Sequence, residues 1–82
     1  MIDSPSEMAG QLRDLARSTL ALTRVRRGRL ARLVVSVPNG VPVPLFLDEA
    51  HSVLARAGLD GFDLEAVPGD GPLRILVAEF ER

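Results

Sequence analysis

The chain has 82 residues, a net charge of −1, three phenylalanines, and no cysteine, tryptophan, tyrosine or lysine. That length makes one domain, and the missing cysteine excludes disulfides, thiolate metal sites and thiol nucleophiles. A hydrophobic fraction of 46% and a charged fraction of 26% exclude disorder over the whole chain, while so few aromatics exclude a stacking platform for bases.

The start, Met1-Ile2-Asp3, has no basic segment followed by an apolar core, so it does not read as a signal peptide. Ser4-Pro5-Ser6-Glu7 is a helix start. Ser4 suits the N-cap, Pro5 the first helical position, and Glu7 closes a capping box. Met8, Leu12, Leu15, Thr19 and Leu22, with Ala9, Ala16 and Leu20 beside them, form a helical apolar stripe. The helix is expected to end between Thr23 and Arg27. A later end, with Gly28 as the left-handed residue beyond it, would put Arg24, Arg26 and Arg27 in the last turn, where cations suit the helix dipole.

Leu30 to Val37 reads as a strand. Leu33, Val35 and Val37 share one face, and Arg32, Val34 and Ser36 the other. Pro38 cannot donate a ladder hydrogen bond, and Asn39-Gly40 is a turn dipeptide. Pro42 and Pro44 stiffen the approach to a second helix, in which Phe46, Ala50, Val53, Leu54 and Ala57 share a face and which Gly58 stops. Phe62, Leu64 and Ala66 alternate with Asp63 and Glu65, predicting a half-buried strand over 62–67. After Pro68-Gly69-Asp70-Gly71-Pro72, Leu73, Ile75 and Val77 alternate with Arg74, Leu76 and Ala78, predicting a strand over 73–80. These two strands are expected to pair as a C-terminal hairpin.

The expected architecture is a single α/β (α+β) domain over residues 1–82, in the order α-β-α-β-β. Two helices pack on one face of a three-stranded mixed sheet, and the other face is left wet. The strand at 30–37 is expected to be central, and the exposed edges could recruit a partner strand. No apolar run approaches the roughly 18 residues that a membrane span needs, so a cytoplasmic location is expected.

Charge is unevenly spread. Arg13, Arg17, Arg24, Arg26, Arg27, Arg29 and Arg32 precede position 33, whereas Asp48, Glu49, Asp60, Asp63, Glu65, Asp70, Glu79 and Glu81 follow it. Such a split steers partners or favours self-association. Arg24, Arg26, Arg27, Arg29 and Arg32 are the candidate partner-binding residues, aimed at an acidic protein or at nucleic acid. The second target is disfavoured, because interleaved aromatics and a basic pI are both missing.

Candidates for chemistry are thin. His51 is the only histidine and has Asp48 three residues before it, the spacing of a base with an orienting carboxylate. An exposed helical histidine explains it more simply. One histidine with scattered carboxylates lacks the ligand set of a zinc or nickel site. Ser36 and Ser52 have only His51 as a possible activating base. Gly69-Asp70-Gly71 joins two strands and opens no helix, so it reads as a turn rather than a phosphate loop. No enzyme, metal or cofactor is expected.

The element order and several strings resemble the HypA/HybF family of hydrogenase maturation nickel metallochaperones. Ser6-Glu7-Met8 stands where the family opens its first helix with Met-His-Glu. Leu33 to Val37, Val43-Pro44 and the helix over Leu47 to Leu54 resemble the family's strand, loop and helix. Asp63-Leu64-Glu65-Ala66-Val67-Pro68 resembles its next strand, and Gly71-Pro72-Leu73-Arg74-Ile75 with Glu79-Phe80-Glu81 its closing strand. The resemblance spans roughly residues 6–82. Two departures are plain. Ser6 replaces the nickel-ligating histidine, and Pro68 to Pro72 stand where the family inserts a four-cysteine zinc domain. What the resemblance implies is therefore a metal-free accessory, chaperone-like protein of hydrogenase assembly. Its partner would be a hydrogenase subunit or a maturation factor, such as the nickel-related GTPase that the family engages. The alternative from the residues alone is a small self-associating binding domain, oligomeric through its own surfaces.

Overall fold

A computed structural model describes residues 5–81, with side chains from Met8 onward. The elements are α1 (Pro5–Arg26), β1 (Arg29–Val37), α2 (Val43–Arg56), β2 (Asp63–Pro68) and β3 (Arg74–Glu81). The α-β-α-β-β order and the mixed three-stranded sheet are as expected.

The C-terminal hairpin is not formed. The strand order is β2-β1-β3, so β1 runs between the two strands that were expected to pair. It is parallel to β2, with Leu33 beside Leu64 and Val35 beside Ala66. It is antiparallel to β3, with Leu33 beside Ala78 and Val35 beside Ile75. The physical reason lies in β1. It carries the longest buried run of the three strands, and at the centre of the sheet Leu33, Val35 and Val37 all reach 0% exposure. A central place also pairs the β1 backbone on both sides, which a buried strand requires. Two strand spacings are about 10 Å, a gap that residues 69–73 span easily at up to about 3.5 Å each. The Gly69 amide anchors this crossing by donating to the Val37 carbonyl at 2.8 Å. A Cβ at Gly69 would meet the Ser36 hydroxyl directly.

Both helices cover one face. Leu12, Leu15 and Ala16 of α1 and Phe46, Ala50 and Leu54 of α2 close over Leu30, Leu33, Val35 and Val37. Thr19 is buried among them, its hydroxyl donating to the Leu15 carbonyl at 2.7 Å. The expected alternation along the last strand holds only in part. Leu73, Ile75, Ala78 and Phe80 pack against the core, but Val77 does not. Between the pairs Val34–Val77 and Val35–Ile75, β3 advances two residues while β1 advances one. Leu76 is the extra residue, and this bulge reverses the facing of everything after it.

The connections follow local chemistry. Helix α1 ends at Arg26, inside the expected window, and Arg27 itself takes the left-handed conformation at φ 53°. Gly28 is needed for another reason: a Cβ there would stand 2.6 Å from the Glu81 carbonyl oxygen. The capping box expected at Ser4 and Glu7 lies outside the described side chains. Pro38 to Val41 make a turn, closed by Val41 N–H to the Pro38 carbonyl at 3.3 Å with Gly40 at φ 89°. Helix α2 starts at Val43, so Pro44 sits in its first turn, where its missing N–H costs nothing. Its end is a Schellman motif: Gly58 at φ 81° donates to Ala55, and Leu59 donates to Leu54 at 2.8 Å. Leu59 is buried, completing the apolar contact that accompanies this motif.

Candidate functional site

The candidate site is basic and starts on α1. At 100° per residue, Arg13, Arg17 and Arg24 fall within about 40° of one another and span about 16 Å of helix. The stripe that enters the core (Leu12, Leu15, Ala16, Thr19) lies on the other side, and all three arginines are exposed. They form a ridge along the outward face. Arg13 and Arg17 were not among the candidate residues, although the i, i+4, i+11 spacing that gathers them with Arg24 is legible in the chain.

The five candidates divide. Arg24, Arg26, Arg27 and Arg29 are all exposed around the C-terminal end of α1. Arg24 and Arg26 lie in its last turn, where they oppose the partial negative charge of the free carbonyls. Arg26 also lines a shallow depression with Gly28, Ala78, Phe80 and Glu81. Arg27 bends away in its left-handed conformation, its amide donating to the Thr23 carbonyl at 2.9 Å. Arg29 begins β1 and lays its guanidinium over Gly61, 2.8 Å from where a Cβ would stand. Val25, 78% exposed, adds an apolar point among these charges.

Arg32 is drawn elsewhere. It lies within β1 beside Asp63 of β2 and Glu79 of β3, and it donates to Glu65 at 3.1 Å. This is the only ion pair among the described residues. The side chains are 41% and 55% exposed, so the pair is worth little in stability, but it engages Arg32 within the fold. The acidic half of the chain thus meets the basic half on the sheet. It leaves the ridge and the α1 terminus without ion pairs among the described residues.

Chemistry does not assemble around His51. It is exposed on α2, and Ser52 donates instead to the Asp48 carbonyl at 3.3 Å. Ser36 is buried on the sheet face turned away from both helices. The groove between α1 and the start of β3 is lined by Gln11, Asp14, Ser18 and Arg74 with Leu73 and Ile75. Gly69 to Gly71 form the crossing from β2 to β3 and open no helix. No three His, Cys, Asp or Glu groups among the described residues could share a metal ion. The nickel and zinc that the resemblance brings with it therefore do not fit: a serine stands at position 6 and no thiolate exists in the chain. No described helix is long and apolar enough to cross a membrane.

Compared with known proteins, the chain matches no family model, no curated protein and no solved structure.

Proposed function

We propose that this chain is a non-enzymatic interaction module that docks an acidic protein surface along α1. The ridge Arg13, Arg17 and Arg24 supplies the contact, and Arg26, Arg27 and Arg29 extend it around the helix end. The observation that carries this reading is the exposure of these arginines without ion pairs among the described residues, while Arg32 is engaged by Glu65. Guanidinium groups match carboxylates in bidentate geometry, and Val25 offers an apolar anchor in their midst. The setting that the family resemblance supplies is hydrogenase assembly, with a hydrogenase subunit or a maturation factor as partner. In that setting the protein works as a metal-free accessory.

The test is affinity capture from the native host with quantitative mass spectrometry. Wild-type protein is compared with Arg13→Glu/Arg17→Glu/Arg24→Glu, whose changes are solvent-exposed and leave the core untouched. Recovery of a hydrogenase subunit or maturation factor by the wild type, reduced about tenfold or more in the triple variant and at raised salt, is the expected result. Capture that is unchanged by charge reversal, or that contains no hydrogenase-related protein, overturns the proposal.

A further inference from the structure

The sheet face away from the helices is acidic around an apolar centre. Val34 is only 8% exposed yet stands outside the helix-covered core, and Val77 lies beside it at 40% exposure. Asp63 of β2 and Glu79 of β3 flank Arg32 in one row across the strands, and Glu65 of β2 flanks Val34 in the next. All three carboxylates are exposed. Arg32, the guanidinium set among them, is bonded to Glu65. Arg74 lines the groove beside α1 with Asp14, and Glu81 lines the depression beside Arg26, so neither is counted on this face. No described element covers it.

The ridge of α1 has the opposite charge and lies on the opposite side of the molecule. Arg17 and Arg24 are about 10.5 Å apart along the helix. Asp63 and Glu79 are two strand spacings apart, about 10 Å. A helix laid across the strands therefore sets one arginine over each acidic edge strand. Ala21, exposed between the two arginines, is small enough to let the helix settle toward Val34 and Val77. On the neighbouring helix Asp48 and Glu49 are exposed, so the cations that suit this face are those of α1. With a net charge of −1, two copies repel little as wholes, and the attraction comes from how the fold divides the charges.

We infer that copies of this chain associate head to tail, the α1 ridge of one crossing the acidic sheet face of the next. The inference rests on the reading of α1 as a surface for acidic proteins, and it names one such surface as the protein's own. Each copy keeps a free ridge on one side and a free sheet face on the other. The contact is therefore heterologous, and with its two halves on opposite sides it grows open chains rather than closing a dimer. The ridge covers about 16 by 10 Å, well below the roughly 800 Å² per partner of a standard stable interface. The contact is accordingly weak, dependent on concentration and screened by salt. Because it covers the ridge, chain growth and an acidic partner compete for α1.

Sedimentation velocity on the full chain at low salt, from about 10 μM to about 1 mM, tests this. The wild type is expected to grow beyond a dimer across that range and to return to monomer at about 0.5 M salt. Two variants each remove one side of the contact: Arg13→Glu/Arg17→Glu/Arg24→Glu and Asp63→Asn/Glu65→Gln/Glu79→Gln. Each alone should stay monomeric. Mixed, they restore a single contact, the ridge of the second on the sheet face of the first, so the mixture should form a heterodimer and grow no further. Glu79→Gln by itself, which leaves the Arg32–Glu65 pair intact, should weaken growth about threefold or more. Far-UV circular dichroism confirms that each variant is folded. A wild type that stays monomeric throughout overturns the inference. So does a triple variant that still self-associates, or a mixture that stays monomeric. The docking proposal fails separately: the Asn/Gln variant keeps the ridge and should capture the same host proteins as the wild type, whether or not chains form.

Discussion

Thr19 is the most informative single position for the packing of α1. It is fully buried at 0% exposure, and its hydroxyl donates to the Leu15 carbonyl one turn back. That carbonyl already accepts the Thr19 amide within the helix, so replacing the hydroxyl by a methyl orphans no acceptor. Thr19→Val gives up a hydrogen bond worth about 0.5–1.5 kcal/mol, the desolvation of the hydroxyl included. The methyl that replaces it gains burial worth about 0.8 kcal/mol, so Thr19→Val should stay within about 0.5 kcal/mol of the wild type. Thr19→Ser keeps the hydrogen bond and deletes the methyl, so it costs about 1 kcal/mol or somewhat more through lost burial and the cavity left behind. Against a total stability of about 4–12 kcal/mol for a chain of this length, the loss in Thr19→Ser is measurable by urea denaturation followed by far-UV circular dichroism. Thr19→Ser is expected to be the less stable of the two variants. If Thr19→Val destabilises more than Thr19→Ser, the hydroxyl has a role beyond its own helix, and the packing argument for α1 fails.

The crossing from β2 to β3 is tested at Gly69, which has a non-positive φ and tolerates alanine by backbone alone. Its new Cβ meets the Ser36 hydroxyl and stands 3.2 Å from the Val37 carbonyl, so Gly69→Ala should cost about 1–3 kcal/mol. Adding Ser36→Ala should recover part of that loss, and strict additivity in the double-mutant cycle would argue against the contact. The exposed Arg32–Glu65 pair should contribute less than about 1 kcal/mol; a larger loss in Glu65→Gln would show that the pair organises the sheet.

The arginines of α1 and the uncovered sheet face lie on opposite sides of one molecule, and the fold explains their separation. The α1 face that does not enter the core carries the arginines, because a helix bearing one apolar stripe must turn the remainder to water. The sheet face that the helices do not cover keeps Val34, Val67 and Val77. With the acidic strands β2 and β3 on both sides of β1, the basic and acidic halves meet at Arg32, and the remaining arginines stay outward.

Sequence alone determined the features that depend on short-range physics. The apolar spacing of Leu12, Leu15 and Thr19 and of Phe46, Ala50 and Leu54, the alternation in β1, and the stop at Gly58 each express a local period or a backbone conformation, and each is present in the fold. Tertiary structure alone decided how the strands combine. Two consecutive strands with a proline-glycine connection look like a hairpin locally, but β1 gains more by burying both of its edges than the last two strands gain by pairing. The helix between β1 and β2 was the legible sign of that parallel pair, since parallel strands need such a crossover. Nothing local announced the bulge at Leu76, which depends on register against β1 rather than on residue type. That one extra residue turns Val77 outward. The candidate arginines were likewise visible one by one, but which of them remain free depended on β1 carrying Arg32 to Glu65 and leaving the others at the end of α1.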